Sequence, residues 1–248
     1  NAGTVSNNYT TSGLIFYNVG LKYGDVLYAA SNDEVSLTLG CTLPEGYVFN
    51  GYTVSPTEAS LTGNDNDGYT LTMPNGNVTI NATLTPIIRY IDEYGETQQC
   101  TEFTLLTGNE TTLGTSGQET WYVADGMLDY SQTINLNGNV HLILKDNAVM
   151  NVGTEETPIN GRGIDGSDHF IRIYGQSTGD HIGTLSVYSA WSNCNGIRTN
   201  NLTINGGHVI ANTNGKSSNA LYAYNGDVVI NGGIVEATAT DAEGYANR

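Results

Sequence analysis

The feature that most constrains this chain is a segment written twice. "NLTINGGHVIAN" at 201–212 returns as "DVVINGGIVEAT" at 227–238, without a gap and at an offset of 26 residues. Leu202 falls on Val228, Ile204 on Ile230, and Asn205–Gly207 recurs as Asn231–Gly233. A segment this short cannot bury its own apolar face and must be covered by its neighbours. Alternation puts Leu202, Ile204, Val209 and Ala211 inward, with Thr203 and Ile210 outward. Upstream, "HLILKDNAVMNV" at 141–152 aligns by placing Leu142 on Leu202 and Leu144 on Ile204. "FIRIYG" at 170–175 enters the same column with Ile171 and Ile173, then carries the insertion "QSTGDHIG" before "TLSVYS" resumes the second strand. A third short strand closes each unit, around Ile164, Ile197, Leu221 and Tyr245.

Successive units start about 29, 31 and 26 residues apart. Three short strands in each 26–31 residues predict a right-handed parallel β-helix over 100–248. A propeller blade of about 40–45 residues would be too long, and a leucine-rich repeat would need helical stretches. The Asn-Gly-Gly is then a corner, where glycine accepts the positive φ that other residues resist. Asn205 and Asn231 are expected to stack as an amide ladder. Tyr245 stands three residues before the last residue, so the stack is expected to continue in further coils. Its uncapped edge is a candidate for end-to-end association.

The first part has another texture. Residues 1–13 are polar and read as a flexible lead-in. From Leu14 short alternating segments are separated by Pro44-Glu45-Gly46, "GNDNDG" and Pro74-Asn75-Gly76, which predicts a small, largely antiparallel β domain over 14–86. Residues 87–99 read as a linker. With 13% charged residues and no run of eleven or more with helical periodicity, the chain is predicted to be all-β. "LPEGYVFNGYTVS" followed by "GYTLTMPNGNVTINATL" resembles the internalin-type B repeat of bacterial surface proteins. The marks are a Gly-Tyr-x-Phe-x-Gly-Trp/Tyr strand and a later Thr-Met-Pro-x-x-x-Val-Thr; Tyr52 stands where the family often has Trp. The resemblance covers about residues 20–86 and implies a compact β-grasp-like module that serves as a spacer or adhesion unit.

The formal charge is −17, with 10 acidic and 2 basic side chains in 1–99 and 15 and 6 in 100–248. Such a field repels phosphate backbones, so nucleic acid is not an expected partner. No apolar run approaches 18 residues, so no membrane span is expected in this chain. The three cysteines form no CxxC pair, and the four histidines have no metal-ligand spacing. "DNDG" at 65–68 lacks the closing glutamate of a calcium loop and reads as a polar turn.

Chemistry concentrates in 155–198, with Glu155, Glu156, Asp165, Asp168, Asp180, Arg162, Arg172, Arg198, Tyr174, Tyr188 and Trp191. Arg172 falls in the outward column of Ile143, Thr203 and Val229, and Tyr174 follows on the same face. The insertion at 176–183 and the loop at 189–196 are expected to wall that face. Arginines pair with carboxylates, and aromatic rings stack on apolar sugar faces. Arg162, Arg172, Tyr174, Tyr188, Trp191 and Arg198 are therefore the candidate glycan-binding set, and Asp165, Asp168 and Asp180 the candidate Ca²⁺ ligands. The bland alternative is a solvated polar surface. The texture "GNVHLILKDNAVMNV", "RGIDG", "TINGGHVIA" and "DVVINGG" resembles carbohydrate-binding β-helix domains of bacterial surface proteins, some of which bind pectin-like polymers with calcium. Pectate lyases share that fold class and use an Arg base with Asp-bound Ca²⁺, for which Arg172 with Asp165 and Asp168 is a partial match. The expected protein is secreted or attached to a bacterial surface and presents a β-helix for glycan binding or adhesion. The alternatives are a structural stalk that contacts protein, and a polysaccharide lyase.

Overall fold

The computed structural model describes residues 2–8, 16–17, 27–30, 32–39, 43–55, 57–64 and 67–240. Among these, every regular element is a β-strand. The chain divides into two compact units, Asn1–Ile88 and Arg89–Arg248.

The first unit holds two four-stranded sheets. One orders its strands Leu27–Ala30, Ala2–Asn8, Val78–Pro86, Tyr47–Ser55, and the other Phe16–Tyr17, Glu34–Leu39, Gly68–Thr72, Ser60–Asn64. The pairs are antiparallel except Ala2–Asn8 with Val78–Pro86, which run parallel. Ala2–Asn8 is thus an inner strand of a sheet, whereas 1–13 reads from its composition as a lead-in. A polar Asn/Thr segment can still lend its backbone to a ladder. Alternate residues Val35, Leu37, Leu71, Met73, Val78 and Ile80 meet in the core beside Tyr52. Tyr52 packs edge-on against Phe49 and Tyr69 at ring centroid distances of 4.8 and 5.1 Å.

In the second unit, the segment read as a linker is a hairpin, Ile88–Ile91 with Thr97–Cys100. Asp92 ties its turn by accepting from the Tyr94 and Glu96 amides at 2.9 Å and from Gln98 Nε2 at 2.8 Å. The rest is a parallel β-helix of three sheets. Sheet I comprises Thr104–Leu105, Glu119–Ala124, Asn139–Leu144, Ile171–Gly175, Leu202–Ile204 and Val228–Ile230. Sheet II comprises Met127–Tyr130, Val149–Val152, Thr184–Ser189, His208–Thr213 and Ile234–Ala239. Sheet III comprises Thr112–Leu113, Ile134–Leu136, Ile164–Gly166, Ile197–Thr199 and Leu221–Ala223. Each rung sends inward-facing residues from its strands into one continuous core, where Leu142, Ile173, Leu185, Ile197, Leu202 and Val209 are fully buried. In the last described rung, Ile230 and Ile234 are half exposed. Tyr245, expected in the next position of sheet III, lies outside the described residues.

The Asn-Gly-Gly corners turn sheet I into sheet II. Asn231 Nδ2 donates to Asn205 Oδ1 at 2.8 Å, the expected ladder. Gly207 has φ +80°, and a Cβ there would lie 2.7 Å from Leu144 Cδ1. One column differs from the expected alignment. Val140, Ile171, Leu202 and Val228 succeed one another in sheet I, at intervals of 31, 31 and 26 residues, so Leu142 stands on Ile173 and Ile204 rather than on Leu202. A shift of two residues keeps every side chain on its own face, so alternation alone does not detect it.

Candidate functional site

The corrected register places Trp121, His141, Arg172 and Thr203 in one outward column of sheet I, and Val123, Ile143 and Tyr174 in the next. His141 Nε2 donates to Glu119 Oε2 at 2.9 Å, and the Tyr174 hydroxyl donates to Nδ1 at 2.9 Å. Trp121 stacks on the imidazole with ring centroids 4.1 Å apart. Tyr90, from the hairpin, covers both Trp121 and Tyr174 at 5.0 and 4.8 Å. Burial pulls the His141 pKa below its ordinary 6.5, against the opposing hydrogen bond to Glu119. Burial likewise raises the Tyr174 hydroxyl. Tyr174 is therefore a packed member of an aromatic stack, 3% exposed, and offers no ring to a ligand. Arg172 is exposed and lies 4.6 Å over the Phe170 ring. Glu119, Trp121 and His141 escaped the sequence-level site because the two-residue offset put Ile143, not His141, beside Arg172.

Arg162, Asp165 and Arg198 belong to sheet III and its approach. The Arg162 guanidinium meets Asp165 Oδ2 at 3.1 Å, and Arg198 meets Oδ1 at 3.6 Å. Arg198 also lies 4.8 Å over the Tyr224 ring. Asp165 and Arg198 are register partners on adjacent rungs, so one carboxylate serves two arginines as a cross-rung clamp. Asp168 is exposed in the turn after this strand, and Asp180 is exposed in the corner loop between sheets I and II. Asp165, Asp168 and Asp180 do not converge as the calcium expectation requires. Among the described residues no three His, Cys, Asp or Glu side chains are placed to share a metal ion. Nor does Arg172 converge with Asp165, since they project from different sheets. Arg172 and Tyr174 stand on sheet I, Tyr188 on sheet II, and Asp165 and Arg198 on sheet III.

Tyr188 borders a cavity. Over sheet II, a groove of about 370 Å³ is floored by the outward residues Tyr188, Asn212 and Thr238, which are direct partners on three successive rungs. Glu155 and Pro158 line it too, from the loop between sheets II and III of the preceding rung. That loop is pinned to the strand carrying Tyr188. The Ile159 amide donates to Tyr188 O at 2.8 Å, and the Ala190 amide donates to Ile159 O at 3.0 Å. Glu155 and Glu156 sit on a tight turn closed by the Thr154 and Thr157 hydroxyls, 2.9 Å apart. Gly153 permits this approach. Its φ is +71°, and a Cβ there would fall 2.7 Å from Tyr188 O and 2.8 Å from Ile159 N. Trp191, in the loop just past Tyr188, is 56% exposed. That loop lies on the equivalent loop of the next rung, through hydrogen bonds from the Asn193 amide to Lys216 O and from Ser218 Oγ to Trp191 O.

The first unit carries the strand Tyr47–Ser55, with Phe49 and Tyr52 in the aromatic cluster, and Met73 buried between strands. Residues 22–88 match the divergent InlB B-repeat domain. The B-repeat match ends where the first compact unit ends, and the β-helix lies outside it. No curated protein and no solved structure matches the chain at a significant level.

Proposed function

We propose that this chain comes from a bacterial surface protein whose β-helix binds glycan in the groove over sheet II. The B-repeat match supports the surface assignment. The groove carries the binding assignment: it has the volume of a small-molecule site, and its floor presents a ring, an amide and a hydroxyl in order. Tyr188 supplies a flat apolar surface for a sugar face, while Asn212 and Thr238 supply donors and acceptors for hydroxyl groups. No described cluster of carboxylates links this site to calcium, so binding is expected to survive chelation.

A glycan array probed with the whole chain and with Tyr188→Ala, each with and without EDTA, tests the proposal. Signals that disappear in Tyr188→Ala and persist in EDTA support it. A flat array for the folded protein contradicts it and leaves the B-repeat unit and β-helix as a stalk that contacts protein.

A further inference from the structure

The groove has a direction and a charge. Tyr188, Asn212 and Thr238 follow one another along the helix axis, so the floor crosses two rung intervals, roughly 10 Å at ~4.8 Å each. An extended chain of two or three sugars laid along the axis meets a different group at each rung. A compact monosaccharide meets only one or two.

Among the described residues, Glu155 is the one charged side chain lining the groove. On the same sheet Asp129 and Glu236 occupy an outward column, and His208 Nε2 is engaged by Glu236 Oε1 at 2.8 Å. Among the described residues, the arginines that could have met a carboxylate are elsewhere. Arg172 projects from sheet I, and Arg162 and Arg198 share Asp165 on sheet III. An anionic sugar seated over Tyr188 would lose water around its carboxylate and gain a like charge in Glu155. A hydroxyl or an ammonium group would gain an acceptor there.

Resting on the glycan reading above, we infer that the groove takes a linear oligosaccharide along the β-helix axis, neutral or bearing ammonium groups, and rejects uronates. Glu155 is the residue that sets this preference.

Calorimetry with the whole chain tests it, using a glucosamine oligomer, its N-acetylated counterpart and a galacturonate oligomer of equal length. The glucosamine oligomer is expected to bind more tightly than the acetylated one. Glu155→Gln should cut that preference by up to about fivefold, the scale of one partly exposed ion pair, and leave the acetylated oligomer's affinity unchanged. The galacturonate oligomer should give no heat. Tyr188→Ala should weaken both binding oligomers, which separates seating in the groove from the general pull of a −17 chain on a polycation. The inference is overturned if galacturonate binds as well as the others in a Tyr188-dependent way, or if Glu155→Gln leaves the preference intact. Absence of heat with all three oligomers while array signals persist overturns this inference alone. Absence in both assays overturns the glycan reading beneath it.

Discussion

At the scale of single residues, a few side chains and one glycine fix the groove. Gly153→Ala must place a methyl group within 3 Å of two backbone atoms at a positive φ, so it should cost about 2 kcal/mol or more of stability. It should also weaken glycan binding by displacing the Glu155 turn; denaturant unfolding and calorimetry on the same variant check both. Two titrating groups give separate pH windows. His141 has a folded pKa below its ordinary 6.5, so below about pH 6.5 the unfolded chain takes up a proton that the folded chain refuses. Stability should therefore fall from pH 7 towards 5, and His141→Gln should flatten that part of the profile. Glu119, Arg172, Glu93 and Tyr174 face this imidazole and should be left intact in the test. Burial would raise the Glu110 pKa, but hydrogen bonds from Thr107 and Tyr130 outweigh it and hold the carboxyl near 2. Its contribution is complete above about 4.5 and is lost as pH falls towards 2, so Glu110→Gln should flatten only that lower window. Melting temperatures measured from pH 7 to 2 separate the two, and parallel curves for wild type and variants would contradict both assignments. Single residues were the least legible in the sequence. Tyr174 looked like an exposed ring because nothing local shows that Tyr90, more than eighty positions earlier, lies over it.

Elements were read more fully. The repeated Asn-Gly-Gly marks a corner, and two glycines stand there because a Cβ on Gly206 would meet the Gly175 backbone and one on Gly207 would meet Leu144 and the Gly183 carbonyl. Gly207→Ala should therefore destabilise the β-helix by about 1–3 kcal/mol, measured by chemical unfolding, while an exposed outward change such as Thr203→Ser should cost little. Unchanged unfolding in Gly207→Ala would contradict the corner assignment. The strands of the later rungs were legible because inward positions recur every second residue and the 26-residue offset repeats without a gap. The register between rungs was not, since a slip of two residues preserves every inward and outward assignment. The strand Ala2–Asn8 and the hairpin closed by Asp92 were missed for a different reason. Their backbones pair, but the side chains of Ala2–Asn8 and of the second hairpin strand, Thr97–Cys100, lack the apolar alternation that announces a buried strand.

At the scale of the whole molecule, Arg172 and Arg198 stand on sheets I and III rather than on the sheet that floors the groove, and this moves the expected binding face. Charge and motif spacing pointed to Arg172 and Tyr174. Three-dimensional placement puts Tyr174 under a hairpin, pairs Arg162 and Arg198 with Asp165, and leaves Tyr188 beside an open cavity. The deciding measurement is the affinity of the array's best oligosaccharide for wild type, Tyr188→Ala and Arg172→Ala. A loss of about tenfold in Tyr188→Ala with Arg172→Ala unchanged is the predicted result, on the scale of one stacked aromatic contact. Loss in Arg172→Ala with Tyr188→Ala unchanged would place the site on sheet I and contradict the account.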